Sequence, residues 1–201
     1  MRPLTYAVPK PLFPVAGKPL LDYVIDNLHL CKEINEIYVG VSHRREVIEN
    51  YLQHTPRKVP VHTINTLSWE TAGDLKTILF EKEVNEPVVV AYGDNLTDLD
   101  VNGLVSFHEK NNSLATLSLI QVPKIDLQRL SSVKLDGDNV VDFIEKPPAG
   151  KEFSDYSSVG CYCLDPKMFD YIPFKKTKME YDVFPRLAKE GKLFGCKVRQ
   201  S

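Results

Sequence analysis

Short apolar runs rich in β-branched residues, alternating with amphipathic helical stretches, constrain this chain more than any other feature. Ile37-Tyr38-Val39-Gly40-Val41 reads as a buried strand. Val59 to Ile64 reads as a second, and the most apolar run, Val88-Val89-Val90-Ala91-Tyr92, as a third. Helical periodicity fills the intervals. Over residues 19–30, Leu20, Val24 and Leu28 recur every four positions with Leu21 and Ile25 beside them. Ser42 can cap a helix whose apolar face is Val47, Ile48, Tyr51 and Leu52. A further helix, from about Ala72, carries Leu75, Ile78 and Leu79. Strands joined through helices need crossover connections, which predicts a mostly parallel sheet with helices on both faces.

The pattern changes after about residue 113. Leu114–Val122, Val133–Leu135, Val140–Ile144 and Val159–Leu164 read as strands separated by little helix. Asp136-Gly137-Asp138-Asn139 is a hairpin signal between two of them. Helices are predicted again at 166–172 and 180–190, the second with Val183, Phe184, Leu187 and Ala188 on one face. No repeat, low-complexity segment or linker divides the chain, so residues 1–201 read as one α/β domain.

Composition narrows the function classes. With 25 basic and 27 acidic residues the net charge is −2, which gives no electrostatic case for a nucleic-acid or membrane surface. Cys31, Cys161, Cys163 and Cys196 lack zinc-site spacing and read as free thiols of a reducing compartment. No apolar run approaches the roughly 20 residues of a membrane span, and nothing resembles a signal peptide; the expected location is cytoplasmic. His29, His43, His54, His62 and His108 have no spacing that makes a metal site or a nucleophile–base pair.

Chemistry can sit in four places. Pro9-Lys10-Pro11 through Lys18-Pro19 presents two lysines on a backbone stiffened by proline, suited to phosphate oxygens. Spacing alone favours an ordinary surface lysine there. Gly93-Asp94 follows the most apolar strand, where ligands of open α/β sheets collect, and an aspartate there can hold Mg²⁺ or merely close a turn. Glu70-Thr71-Ala72-Gly73 opens a helix with small residues that let backbone amides approach an anion, although an ordinary helix start fits as well. Glu145-Lys146-Pro147 ends a strand, as a solvated charge pair or as a polar site. Trp69, the only tryptophan, fits core packing better than base stacking.

Arg2-Pro3-Leu4-Thr5 through Pro19 resembles the signature of the sugar-1-phosphate nucleotidyltransferases, such as glucose-1-phosphate thymidylyltransferases and mannose-1-phosphate guanylyltransferases, and the likeness extends over nearly the whole chain. The resemblance implies a three-layer, Rossmann-like nucleotidyltransferase domain with a mostly parallel mixed sheet. It implies transfer of a nucleotidyl group from an NTP to a sugar 1-phosphate, with Mg²⁺ as cofactor. Lys10 would then neutralise phosphate charge, and Asp94 would hold the metal. Thr71, Ala72 and Gly73 would lie by the base; Glu145, Lys146 and Gly160 would seat the sugar phosphate. Glu180 has a family counterpart too, of architectural kind.

The likeness also has departures. Glu70 replaces the first glycine of a Gly-Thr-Ala-Gly run, Leu130-Ser131 stands for Tyr-Gly, and Ser158-Val159-Gly160 for an Asn-Ala-Gly-like run. By the same likeness both ends are expected to be cut, lacking a first strand with its glycine-rich loop and a later Trp-x-Asp segment. Loss of a central strand predicts unpaired backbone, exposed apolar surface and either low stability or self-association. Two readings from other classes stand beside the enzyme: a non-catalytic sensor or regulatory relative that keeps a sugar-nucleotide pocket, and a structural module.

Overall fold

The computed structural model describes residues 8–198, so the Arg2–Thr5 segment lies outside the described residues. A 3-10 turn at Lys10–Leu12 leads into a small hairpin, β1 (Pro14–Val15) with β2 (Lys18–Pro19), and then α1 (Leu20–Leu28). Next come β3 (Ile37–Val41), α2 (Arg45–Gln53), β4 (Val61–Asn65), α3 (Glu70–Glu81) and β5 (Val88–Ala91). The second half holds α4 (Val101–Lys110), β6 (Ala115–Gln121), a single turn α5 (Lys124–Leu127), β7 (Ser131–Asp136), β8 (Asn139–Glu145) and β9 (Tyr156–Leu164). A 3-10 helix (Pro166–Tyr171), a π-helical turn (Met179–Val183), α6 (Phe184–Lys189) and β10 (Leu193–Lys197) complete it.

Six strands form one mixed sheet in the order β5-β9-β6-β10-β8-β7. Alternation along its strands sends side chains to two cores. Val88, Val90, Leu117, Tyr162 and Leu164 face α3, the π-turn and α6; Val89, Ala91, Cys161, Cys163 and Cys196 face α1, α2 and α4. Each face is covered by helices, which makes the three layers. All four cysteines are buried and free, and burial pushes the Cys161 and Cys163 thiols up to about 12. Among the described residues no helix is long and apolar enough to cross a membrane.

The sheet is mixed as expected but less parallel than the alternation suggests. Within the six strands only β6 and β10 pair in parallel. The cause is β9, which follows the β7–β8 hairpin and its loop rather than a crossover helix, so nothing obliges it to run parallel. It lies between β5 and β6 and pairs antiparallel with both.

Other boundaries moved for local reasons. The strand expected from Val59 starts at Val61, because Pro60 offers only its carbonyl, which accepts from Ile37 N at 2.9 Å. The helix expected over 180–190 divides at Pro185, which cannot donate back into the preceding turn. The helix expected at 166–172 takes the tighter 3-10 form. Helix α4 was not anticipated. It is capped by Asp100, whose carboxylate accepts from Gly103 N at 2.9 Å, and it buries Val101, Leu104, Val105 and His108.

Strands β3 and β4 pair in parallel with each other and form a separate two-stranded sheet. One edge of β3 and the outer edge of β5 therefore have no strand partner among the described residues. A cavity of about 920 Å³ runs alongside both, walled by Leu21, Ile25 and Leu28 from α1 and Leu75, Ile78 and Leu79 from α3. At the carboxyl end of β5 the cavity reaches Thr71, Tyr92 and Asp94.

Candidate active site

Lys10 begins the 3-10 turn, which is closed by Leu12 N donating to the Pro9 carbonyl at 2.9 Å and Phe13 N donating to the Lys10 carbonyl at 3.1 Å. Pro9 and Pro11 fix φ on either side, so the lysine leaves the backbone in a set direction. Its ammonium reaches Asp94 Oδ2 at 2.5 Å, with both side chains partly exposed. Lys18, the other proline-flanked lysine, turns away from this site. It pairs with Asp26 of α1 and lies 4.6 Å from the centroid of the Tyr23 ring, and the hydrogen bond to Asp26 raises its pKa.

Asp94 stands in the turn directly after β5, where Asn95 N donates to the Tyr92 carbonyl at 3.1 Å. Gly160 on β9 backs that turn. Its carbonyl accepts from Tyr92 N at 3.0 Å, its φ is +72°, and a Cβ there would meet Asn95 Nδ2 at 2.5 Å and Tyr92 Cδ2 at 2.9 Å. Glycine at 160 thus lets β9 approach the Asp94 turn closely, a role that spacing in the sequence does not reveal.

The start of α3 joins the same region through Glu180. The Thr71 hydroxyl donates to Glu180 Oε2 at 3.1 Å and accepts from Met179 N at 3.0 Å. The Tyr92 hydroxyl donates to Glu180 Oε1, and Tyr162 OH lies 3.4 Å from Tyr92 OH. One carboxylate therefore ties the β5 terminus to the α3 terminus, and burial raises the pKa of Tyr92 and Tyr162 so that both remain protonated donors. Ala72 and Gly73 do not offer free amides to an anion. Both N–H groups donate to the Thr177 carbonyl, at 3.0 and 3.2 Å, and a Cβ on Gly73 would meet the Lys175 carbonyl oxygen at 2.6 Å. Their small size serves packing against residues 175–177. Glu70 adopts φ +65°, a conformation that favours glycine, and pairs with Lys176 at 3.4 Å and Lys178 at 3.8 Å.

Glu145 ends β8 half-buried, with the Lys146 ammonium 3.8 Å from Oε1. Burial raises its pKa, the Glu180 charge raises it further, and Lys146 and Lys178 oppose both. Tyr92, Lys178 and Glu180 are the participants that chemistry-first reading of the sequence missed or gave no chemical role. Only the placing of Tyr92 at the end of the most apolar strand hinted at any of them.

A single carboxylate with water and phosphate oxygens is a usual way for Mg²⁺ to be held. Asp94 fits that mode as a partly exposed carboxylate in the turn at the carboxyl end of β5. Among the described residues no three His, Cys, Asp or Glu side chains gather as an all-protein metal site. The site thus offers one hard anionic ligand, a tethered ammonium, a half-buried carboxylate flanked by lysines, and a hydroxyl network that joins the β5 and α3 termini.

A three-layer α/β fold with charged groups gathered at the carboxyl end of a sheet strand defines a ligand-binding α/β protein. The model of the family described as Nucleotidyl transferase matches residues 1–201, and the chain belongs to that family. It is 30% identical over 209 residues to a UTP–glucose-1-phosphate uridylyltransferase of Synechocystis sp., covering 95% of this chain and 53% of that protein. It is 33% identical over 203 residues to the mannose-1-phosphate guanylyltransferase catalytic subunit beta of Drosophila melanogaster, covering 96% and 53%. The chain thus spans about half the length of these curated relatives. Among solved structures, a putative glucose-1-phosphate thymidylyltransferase from Bacillus anthracis superposes with a TM-score of 0.86 at 21% identity, over 100% of this chain and 82% of that one. A UDP-glucose pyrophosphorylase complexed with UDP-glucose gives 0.83 at 16% identity, over 100% and 86%. These two likenesses speak for the fold.

Proposed function

We propose that this chain carries the nucleotidyl-transfer site of a sugar-1-phosphate nucleotidyltransferase. A phosphate oxygen of the sugar 1-phosphate attacks the α-phosphorus of an NTP in line. The bond from that phosphorus to the pyrophosphate bridge breaks, and an NDP-sugar and pyrophosphate form. Such a reaction needs positioning and charge stabilisation more than covalent help. The observation that carries the reading is the juxtaposition of Lys10 and Asp94, drawn from distant parts of the chain to one point at the end of β5.

Lys10 neutralises charge on the reacting phosphates. Asp94 holds Mg²⁺, which when bound supplies further neutralisation of phosphate charge. The α3 start at Thr71, Ala72 and Gly73 lies beside the base and shapes its pocket by packing. Glu145 accepts hydrogen bonds from sugar hydroxyls, for which a carboxylate offers several acceptor positions. Lys146 meets the sugar phosphate, and Gly160 keeps the floor of the site open beside Asp94. Family membership and the named relatives support the substrate class, and a cytoplasmic location belongs to the same reading.

The test is pyrophosphate release with Mg²⁺ over a panel of NTPs and sugar 1-phosphates, beginning with the UTP–glucose and GTP–mannose pairs that the relatives' names supply. The expected outcome is release with one preferred pair. Lys10→Ala should lower turnover by about 100-fold or more while leaving the melting temperature nearly unchanged. Turnover that survives the substitution refutes the role of Lys10.

A further inference from the structure

The roles given to Lys10 and Asp94 conflict with the contact they make. Lys10 Nζ lies 2.5 Å from Asp94 Oδ2, so the ammonium occupies a carboxylate oxygen that a divalent cation needs. The carboxylate likewise holds the ammonium that a phosphate needs. We propose that this ion pair is a reciprocal latch: each group masks the other's target, and only a metal–polyphosphate complex satisfies both at once. The proposal rests on the reading of the two residues above.

Geometry supports the exchange. The Lys10 backbone is fixed by the flanking prolines and the 3-10 turn, and the Asp94 backbone by the Tyr92–Asn95 turn and by Asn95 Nδ2 donating to the Val159 carbonyl at 3.2 Å. Releasing the pair therefore requires only rotation of a long side chain. Side-chain exposures of 43% for Lys10 and 37% for Asp94 place the pair in the class of weak, screened ion pairs that a stronger ligand displaces readily. A bare divalent cation at Asp94 meets repulsion from the ammonium beside it. A bare polyphosphate at Lys10 meets repulsion from the carboxylate. When both arrive together, the cation goes to Asp94 and the anion to Lys10, so each ligand raises the affinity for the other. A site built in this way selects the complex over either component.

The experiment measures Mn²⁺ binding by electron paramagnetic resonance of the free ion, without nucleotide, for the 201-residue chain, Lys10→Met and Asp94→Asn. Metal-free tripolyphosphate binding is measured alongside by equilibrium dialysis. The latch predicts Mn²⁺ affinity about threefold or more higher in Lys10→Met, and lower in Asp94→Asn. It also predicts tighter tripolyphosphate binding in Asp94→Asn and weaker binding in Lys10→Met. Equal Mn²⁺ affinity in the unaltered chain and Lys10→Met, with a loss in Asp94→Asn, overturns the latch and leaves Asp94 as a metal ligand. Equal Mn²⁺ affinity in all three overturns the metal role of Asp94 and the latch with it.

Discussion

Glu145 sits half-buried near Glu180, and both conditions raise its carboxyl pKa above the usual range. A group whose folded pKa is raised holds more protons in the folded state than in the unfolded chain between the two values. Stability then falls as the pH climbs through that window, and the full penalty applies above it. Glu145→Gln is expected to raise the melting temperature at pH 7.5 by roughly 1–3 °C. It should change little below about pH 4, where the carboxyl is protonated in both states. The same substitution should weaken sugar 1-phosphate binding, read as a rise in KM. A melting temperature that drops at pH 7.5 contradicts the assignment. At this scale proline, a strand end and a charge pair mark Lys10, Asp94 and Glu145 as candidates, while the roles proposed for them follow from the family resemblance. The Glu180 hub was not, since Tyr92 and Thr71 meet it across sequence separations of 88 and 109 residues.

Helix α4 carried a readable signature, with Asp100 before an apolar stripe of Val101, Leu104, Val105 and His108. It is also the crossover that lets β5 and β6 run parallel on either side of β9. Asp100→Ala removes the acceptor for Gly103 N and is expected to cost about 1 kcal/mol, seen as a lower denaturant midpoint with an unchanged slope. An unchanged midpoint removes the cap from the account of this helix. The split of the last helix at Pro185 follows from a single residue that was visible in the sequence. The insertion of β9 between β5 and β6 was not visible, because periodicity marks a strand without naming its neighbours.

Among the described residues no strand lies between β3 and β5, and the cavity there is walled by apolar side chains of α1 and α3. Such edges favour pairing with other chains, and such walls bind apolar probes. The 201-residue chain is expected to enhance 8-anilinonaphthalene-1-sulfonate fluorescence at neutral pH. It should also either melt broadly or sediment as more than a monomer. A sharp monomeric transition without dye binding contradicts this.

By itself the sequence determined the α/β class and most strand and helix positions, and it marked the candidate site residues. These depend on local periodicity, on proline and glycine geometry, and on short motifs, all of which act within a few residues. Tertiary structure alone decided which strands pair, that Ala72 and Gly73 give their amides to Thr177, that Glu180 links two halves of the site, and that Lys10 closes on Asp94. Those outcomes are contacts between distant segments. Their energies depend on burial and on the charges brought near, quantities that exist only once the chain has folded.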